Sequence, residues 1–299
     1  MTFCDMLPRL YMNHKDPSDA VERKLATAGV FHRASSTYGR VGPGFFAHFG
    51  RSLVRHANLP RDAHVLDVAC GRGAVLFPAA EAVGIKGSVV GIDFAEGMVK
   101  ETRQDALDRG LLNVEVRQMD AEHLDFADST FDVVLCGFAV FFFPQLERAL
   151  AGFGRVLKPA GRIAVSTWGT QFDDDFKWFD QLVEKYLPPA PQENKTANSG
   201  GEPDFDTPDG MEKIMQTAGF VNTRVVSEVA DFTYATLDEW WESRWSHGGR
   251  ARLERIEKAG GPEALAQFKA ECLQEMEARK GTENIGQSFQ VLYTLALKH

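Results

Sequence analysis

Ten consecutive residues, His64-Val-Leu-Asp-Val-Ala-Cys-Gly-Arg-Gly73, limit the fold of this 299-residue chain more than any others. An apolar run of strand character ends in Gly71-Arg72-Gly73, and a helix-like segment follows. Bare backbone at two closely spaced positions lets a ligand approach the main chain. A second apolar run, Val89-Val-Gly-Ile-Asp93, ends in a carboxylate 20 residues beyond Gly73. At the tip of the neighbouring strand, that carboxylate can accept hydrogen bonds from both hydroxyls of a ribose. The pair predicts a nucleoside-bearing cofactor across the carboxyl ends of a parallel sheet.

The glycine spacing narrows the choice of cofactor. A dinucleotide site wants a third glycine where this chain has Leu76, and a P-loop wants a Lys-Ser/Thr that is absent here. Asp67 sits inside the first strand, where a carboxylate suits a cationic cofactor better than a phosphorylated one. S-adenosyl-L-methionine (SAM) has a sulfonium and an α-amino group and carries no phosphate. A short-chain dehydrogenase would need Tyr-x-x-x-Lys after its fourth strand, and the match at Tyr11 to Lys15 lies ahead of the glycines.

The order of further segments resembles the class I SAM-dependent methyltransferases, in particular the ubiquinone/menaquinone C-methyltransferase-like group and its natural-product tailoring relatives. Val65-Leu-Asp-Val-Ala-Cys-Gly-Arg-Gly73 is similar to the family's first motif, and Gly91-Ile-Asp-Phe-Ala-Glu-Gly-Met98 to its acidic loop. Met119-Asp-Ala-Glu122 resembles the adenine loop, Phe131-Asp-Val-Val-Leu-Cys136 strand four, and Arg155 to Val165 the turn into strand five. The likeness spans about residues 60–168. It implies SAM as cofactor, S-adenosyl-L-homocysteine (SAH) as product, and an α/β, Rossmann-like seven-stranded sheet. That sheet is mostly parallel, with its last strand antiparallel between the fifth and sixth, and it carries helical cap insertions.

The residues themselves predict alternating elements: strands near 64–69, 88–93, 113–118, 131–136 and 161–167, and helices near 73–83, 95–109 and 145–157. Residues 1–40 read as polar and irregular, with one short helix near 19–29, and 43–59 as an amphipathic helix. A helix is expected over 172–187, then a breaker-rich loop over 188–203. A helix starts at Thr207-Pro-Asp-Gly and stops at Gly219. A strand over 221–229, helices over 237–280 and a strand over 290–297 complete the chain. Three parts follow: a helical cap or lid over 1–60, the SAM-binding core over 61–169, and the remaining strands over 170–299 with cap insertions at 170–207 and 230–288.

For the cofactor, the expected residues are Asp67, Ala69, Gly71, Gly73, Asp93, Phe94, Met98, Asp120, Ala121, Cys136 and Gly137. Asp93 could instead cap the next helix, Asp120 could be a turn aspartate, and Phe94 and Met98 could be plain core. Phe138, Phe141 and Phe142 follow strand four, where donor meets acceptor in the family, and suggest an apolar acceptor pocket whose rings also suit a sulfonium methyl. Trp241 and Trp245 share a helix face and could roof that pocket or pack the cap onto the core. His247 is the candidate general base, against a surface role. Tyr38 ends Phe31-His-Arg-Ala-Ser-Ser-Thr-Tyr38, which resembles the segment that closes over SAM and supplies an aromatic there, and with His247 it is an expected catalytic residue. Asp173-Asp-Asp175 is read as a helix N-terminus rather than a metal site, so no metal is expected.

The expected activity is therefore methyl transfer to carbon or oxygen of a hydrophobic small molecule in secondary metabolism, such as a terpenoid, alkaloid, quinone or polyketide. The alternative is a SAM-binding cyclase or scaffold of the same fold that transfers no methyl. The net charge of −9 argues against a nucleic-acid partner. Four scattered cysteines, no signal peptide and no long apolar run point to a cytoplasmic protein without membrane insertion. A homo-oligomer is compatible with all of this.

Overall fold

The computed structural model describes residues 17–172, 177–187, 203–279 and 285–299. Seven strands form one sheet: β1 (His64–Val68), β2 (Ser88–Asp93), β3 (Val114–Gln118), β4 (Phe131–Gly137), β5 (Leu157–Phe172), β6 (Phe220–Tyr234) and β7 (Ile285–Lys298). Their order is β3-β2-β1-β4-β5-β7-β6. β1 pairs in parallel with β2 and β4, as do β2 with β3 and β4 with β5. β7 runs antiparallel to both β5 and β6. The chain order reverses between β1 and β4, which opens a crevice at the carboxyl ends of these strands.

The short strands are apolar because helices cover both of their faces. Val65, Leu66 and Val68 of β1 and Val133, Val134 and Leu135 of β4 are fully buried. α2 (Phe45–Ala57), α3 (Leu76–Val83), α4 (Glu96–Asp108) and α5 (Leu146–Val156) pack on the sheet and α7 (Pro208–Thr217) on β6 and β7, while α6 (Lys177–Tyr186), α8 (Leu237–Trp245) and α9 (Arg250–Arg279) follow the later strands and α1 (Pro17–Ala34) packs on α4 and α9. α2 starts after Gly44 and ends at Asn58, both left-handed, and buries Phe45, Phe49 and Leu53 at helical spacing. Thr207 caps α7 by accepting the Gly210 N–H at 3.1 Å, and Pro208 occupies the first turn. Thr236 caps α8 in the same way, while Glu239 reaches back to the Ala235 N–H. α9 breaks at Gly261, whose φ is +76°, directly before Pro262.

Several elements exceed their expected bounds. The helix expected near 19–29 spans 17–34, because Ala20, Thr27, Val30 and Ala34 are buried and tertiary packing carries the helix past Gly29. β5, β6 and β7 are longer than the 161–167, 221–229 and 290–297 expected, with pairing continuing to Phe172 with Phe289 and Tyr234 with Ile285. Half of each residue pair on β6 faces solvent, so polar residues interrupt the apolar run that would mark a long strand. Phe172 is strand rather than helix, and the helix expected from 172 begins at Lys177. Asp173 to Asp175 and the 188–202 loop lie outside the described residues. No helix of the described residues is long and apolar enough to cross a membrane.

Buried apolar side chains form two clusters. The larger surrounds the sheet and includes Phe49, Leu66, Leu135, Phe153 and Tyr293. The second joins α6, α8, α9 and the far ends of β6 and β7 through Trp178, Phe179, Tyr234, Trp240, Trp241, Phe268 and Ile285.

Candidate functional site

A cavity of about 790 Å³, counted with its open mouth, lies at the carboxyl ends of β1, β2 and β4. Its floor is the turn after β1. Gly71 has φ +49° and Gly73 φ +80°. A Cβ on Gly73 would lie 2.3 Å from the Phe77 ring, so this glycine serves the close packing of the turn on α3. The turn is anchored from behind. Thr102 donates to the Gly71 carbonyl at 2.6 Å, and Arg72, buried, bonds the Ser35 carbonyl and Asp105.

Two non-glycine residues of the cavity lining are also left-handed, Ala69 (φ +55°) and Phe138 (φ +54°). Each lies just beyond a strand, β1 or β4, and each lines the cavity. Backbone in this region is sparsely populated for side-chain-bearing residues and clusters at functional sites.

Asp93 ends β2. Its Oδ2 accepts the Gly71 N–H and its Oδ1 the Ala95 N–H, both at 2.9 Å. Burial pushes its pKa up to about 6, although bonds from Ala95, Gly71 and Phe94 pull the other way. Each oxygen spends one lone pair on a backbone N–H, which leaves acceptor capacity for a ligand as well. Phe94, Met98, Asp120 and Ala121 line the same end of the cavity, and Gly137 lies with Ala69 and Gly71.

Asp67 is 1% exposed, and neither carboxylate oxygen has a hydrogen-bond partner. Burial first, then the charge of Asp93, pushes its pKa well above the usual range. A cationic ligand near it would favour the charged form of Asp67, whereas a pyrophosphate would disfavour it further. The residues present therefore fit SAM, which would meet carboxylates at Asp93 and Asp120 and closely approachable backbone at Ala69, Gly71, Ala121 and Gly137.

Asp120 Oδ2 accepts from Lys24 Nζ at 2.7 Å and from His123 Nδ1 at 2.9 Å. Burial raises its pKa, but Lys24, the Glu122 N–H and His123 outweigh it, and the net direction is downward. Asp120, Glu122 and His123 bring three ligand-type atoms within 4.8 Å of one another. The Lys24 ammonium already sits on the two carboxylates, where a cation would go.

Part of the lining is aromatic. Tyr38, Phe138 and Phe142 line the cavity together with Phe31 of α1. Tyr38 stacks on Phe46 at 5.0 Å, Phe138 stacks on Trp168 at 4.3 Å, and Phe31 meets Phe142 edge-on at 5.4 Å. Burial, then the Asp93 charge, raises the Tyr38 hydroxyl far above its ordinary pKa, so it stays a phenol.

The remaining expected residues lie outside the cavity lining. Gly73 supports the turn, and Cys136 is fully buried in β4, its thiol pushed up by burial and by Asp67. Phe141 is buried against Phe142 and Phe205. Trp241 packs in the second cluster beside Phe268, and Trp245 carries the Arg250 guanidinium over its ring at 5.3 Å. His247 Nδ1 accepts the Gly249 N–H at 3.1 Å, which assigns the ring proton to Nε2. Nε2 is buried without a partner, and Phe45 and Phe46 stand 6.1 and 6.5 Å away. Burial, then Arg244, lowers this imidazole well below its usual pKa, so it is neutral and Nε2 is a donor.

Sequence reasoning missed Lys24, Thr27, Ala28 and Phe31, which line the cavity from one face of α1. Their spacing of three and four was the available signal.

A methyltransferase domain model matches residues 65–161. Aklanonic acid methyltransferase of Streptomyces sp. (strain C5) is 46% identical over 149 residues, 50% of this chain and 67% of that protein. Nocamycin O-methyltransferase of Saccharothrix syringae is 33% identical over 273 residues, 88% of this chain and 95% of that protein. Among solved structures, a Bacillus halodurans C-125 protein described as a methyltransferase matches with a TM-score of 0.54 at 23% identity, over 83% of this chain and 97% of that one. At that identity the likeness is one of fold.

Proposed function

The chain belongs to the class I SAM-dependent methyltransferases, and from that premise we propose that it methylates an oxygen of a hydrophobic, ring-bearing small molecule of secondary metabolism. The observation that carries this is the two-sided cavity: Gly71, Asp93 and Asp120 on the donor side, and Phe31, Tyr38, Phe138 and Phe142 on the other. Oxygen is preferred over carbon because a relative aligned over 95% of its length is an O-methyltransferase.

When bound, SAM supplies an electrophilic methyl that an acceptor lone pair takes in line, leaving SAH. The chain has to hold the two reactants at attack distance and keep water out. Gly71 and Ala69 carry the backbone to the methionine part, and Asp93 holds the ribose. The stacked pairs Tyr38–Phe46 and Phe138–Trp168 offer flat apolar faces to an aromatic acceptor and to the sulfonium methyl. We assign Tyr38, which lines the cavity, as the donor that orients an acceptor oxygen, since the phenol is not ionised, while His247 lies behind the lining as a neutral imidazole and would act there as support rather than as a base. Trp241, Trp245 and Phe141 would support the acceptor pocket from behind.

We also propose that residues 1–60 form the lid, 61–169 the donor core, and 170–207 with 230–288 one acceptor cap; the separate apolar cluster joining α6, α8 and α9 supports that division. The net charge of −9 favours a small-molecule partner over nucleic acid. The buried free thiols of Cys70, Cys136 and Cys272 favour a reducing, cytoplasmic setting.

The test is incubation with methyl-labelled SAM and a panel of polycyclic phenols, enols and carboxylic acids. Transfer of label to oxygen in at least one is expected. SAH binding with no transfer to any acceptor, but turnover by cyclisation, would replace this reading with a non-methylating one.

A further inference from the structure

The Lys24 side chain enters the cavity from α1 and does more than line it. Nζ bonds Asp120 Oδ2 at 2.7 Å and also Glu122 Oε2. The three side chains are 16%, 21% and 0% exposed, so Glu122 is a fully buried carboxylate with an ammonium on one oxygen. Its other oxygen accepts the Gln145 N–H at 2.8 Å. Gln145 closes the loop that follows β4 and carries Phe138 and Phe142, and it is the residue before α5. One buried carboxylate therefore joins three segments that are far apart in sequence: the lid helix, the loop after β3 and the aromatic loop after β4.

We infer that Lys24 is a positioning residue of the donor site, and that through Glu122 it ties the seating of the donor to the ordering of the acceptor-side loop. This rests on the methyltransferase reading. Lys24 and His123 take up Asp120 Oδ2, and the Glu122 N–H takes Oδ1 at 2.9 Å. These bonds fix the carboxylate's rotation, so that its remaining acceptor capacity has one direction. Lifting α1 removes the ammonium and leaves Glu122 buried without its counter-ion, which is strongly unfavourable. The lid therefore closes with the adenine loop already set. The same carboxylate, held in place, caps the aromatic loop at Gln145. A donor that settles under α1 stabilises all three segments together, because they share one ion pair.

The experiment compares SAH affinity by calorimetry with amide exchange over 138–145, with and without SAH. Four proteins are used: wild type, Lys24→Met, Lys24→Arg, and Lys24→Met combined with Glu122→Gln. The double variant strands no buried charge, so it keeps the test open if Lys24→Met alone unfolds. In the wild type, SAH is expected to slow exchange over 138–145. The double variant is expected to keep its unliganded melting temperature within a few degrees, bind SAH about tenfold more weakly, and lose that protection. Lys24→Arg is expected to recover most of both. A double variant that binds SAH within twofold of wild type and still protects 138–145 overturns the inference and leaves the donor site standing. A wild type that does not bind SAH at all overturns the donor reading, and this inference with it.

Discussion

Asp93 shows how a single residue can be legible in sequence while its physics is not. Its place 20 residues beyond Gly73 makes it the ribose candidate in the sequence, and the proposed function keeps it in that role. That burial should lift its pKa to about 6 appears only once β2 is seen to end inside a cavity. In the unliganded protein, ionising this carboxylate costs stability as pH rises from the ordinary carboxylate range through about 6. Ribose hydroxyls donate to the ionised form, so donor affinity has the opposite slope. SAH affinity measured by calorimetry is expected to fall roughly tenfold from pH 7 to pH 5; a flat profile over that range would remove Asp93 from the ribose. Asp93→Ala is expected to weaken SAH binding by about 1–3 kcal/mol. The left-handed backbone at Ala69 and Phe138 had no sequence signal, since neither is glycine or asparagine. Lys24 was hidden for another reason: its partner Asp120 is 96 positions away, and on its own helix a lysine reads as solvated surface.

Among the elements, α2 bears most directly on the site. A Cβ on Gly50 would lie 2.1 Å from the Ala74 carbonyl oxygen and 2.6 Å from its carbon. Backbone cannot yield as a side chain does, so Gly50→Ala has to push α2 away from the turn that carries Gly71 and Gly73. A destabilisation of about 1–3 kcal/mol in chemical unfolding is expected, with weaker SAH binding. Wild-type stability would show that α2 does not brace the turn. The core strands β1, β2 and β4 were readable because two buried faces leave largely apolar runs followed by glycine or aspartate, and the edge strand β3 because Val114 and Val116 alternate with polar residues. The reach of β6 and β7 was not, because their outer halves alternate with Glu228, Asp231, Gln287 and Ser288. α1 was read too short, since its length comes from packing against the cavity rather than from propensity.

For the whole molecule, two apolar clusters stand side by side, one around the sheet and one joining α6, α8 and α9. Phe268 is fully buried in the second, with Phe179, Tyr186 and Trp241 rings at 5.7, 5.3 and 6.1 Å. Phe268→Leu is expected to lower the thermal midpoint by a few degrees, from about 1 kcal/mol of lost packing. Its SAH affinity should stay within twofold of wild type. A tenfold loss of affinity would mean that the donor core and the cap are not separate units of packing. The central claim about the molecule is that the crevice between β1, β2 and β4 receives an adenosine sulfonium donor. Titration calorimetry of the wild-type protein with SAH and, separately, with NADH tests it most directly. Saturable one-to-one binding of SAH with no heat from NADH is the expected result; saturable binding of NADH with none of SAH would contradict the account.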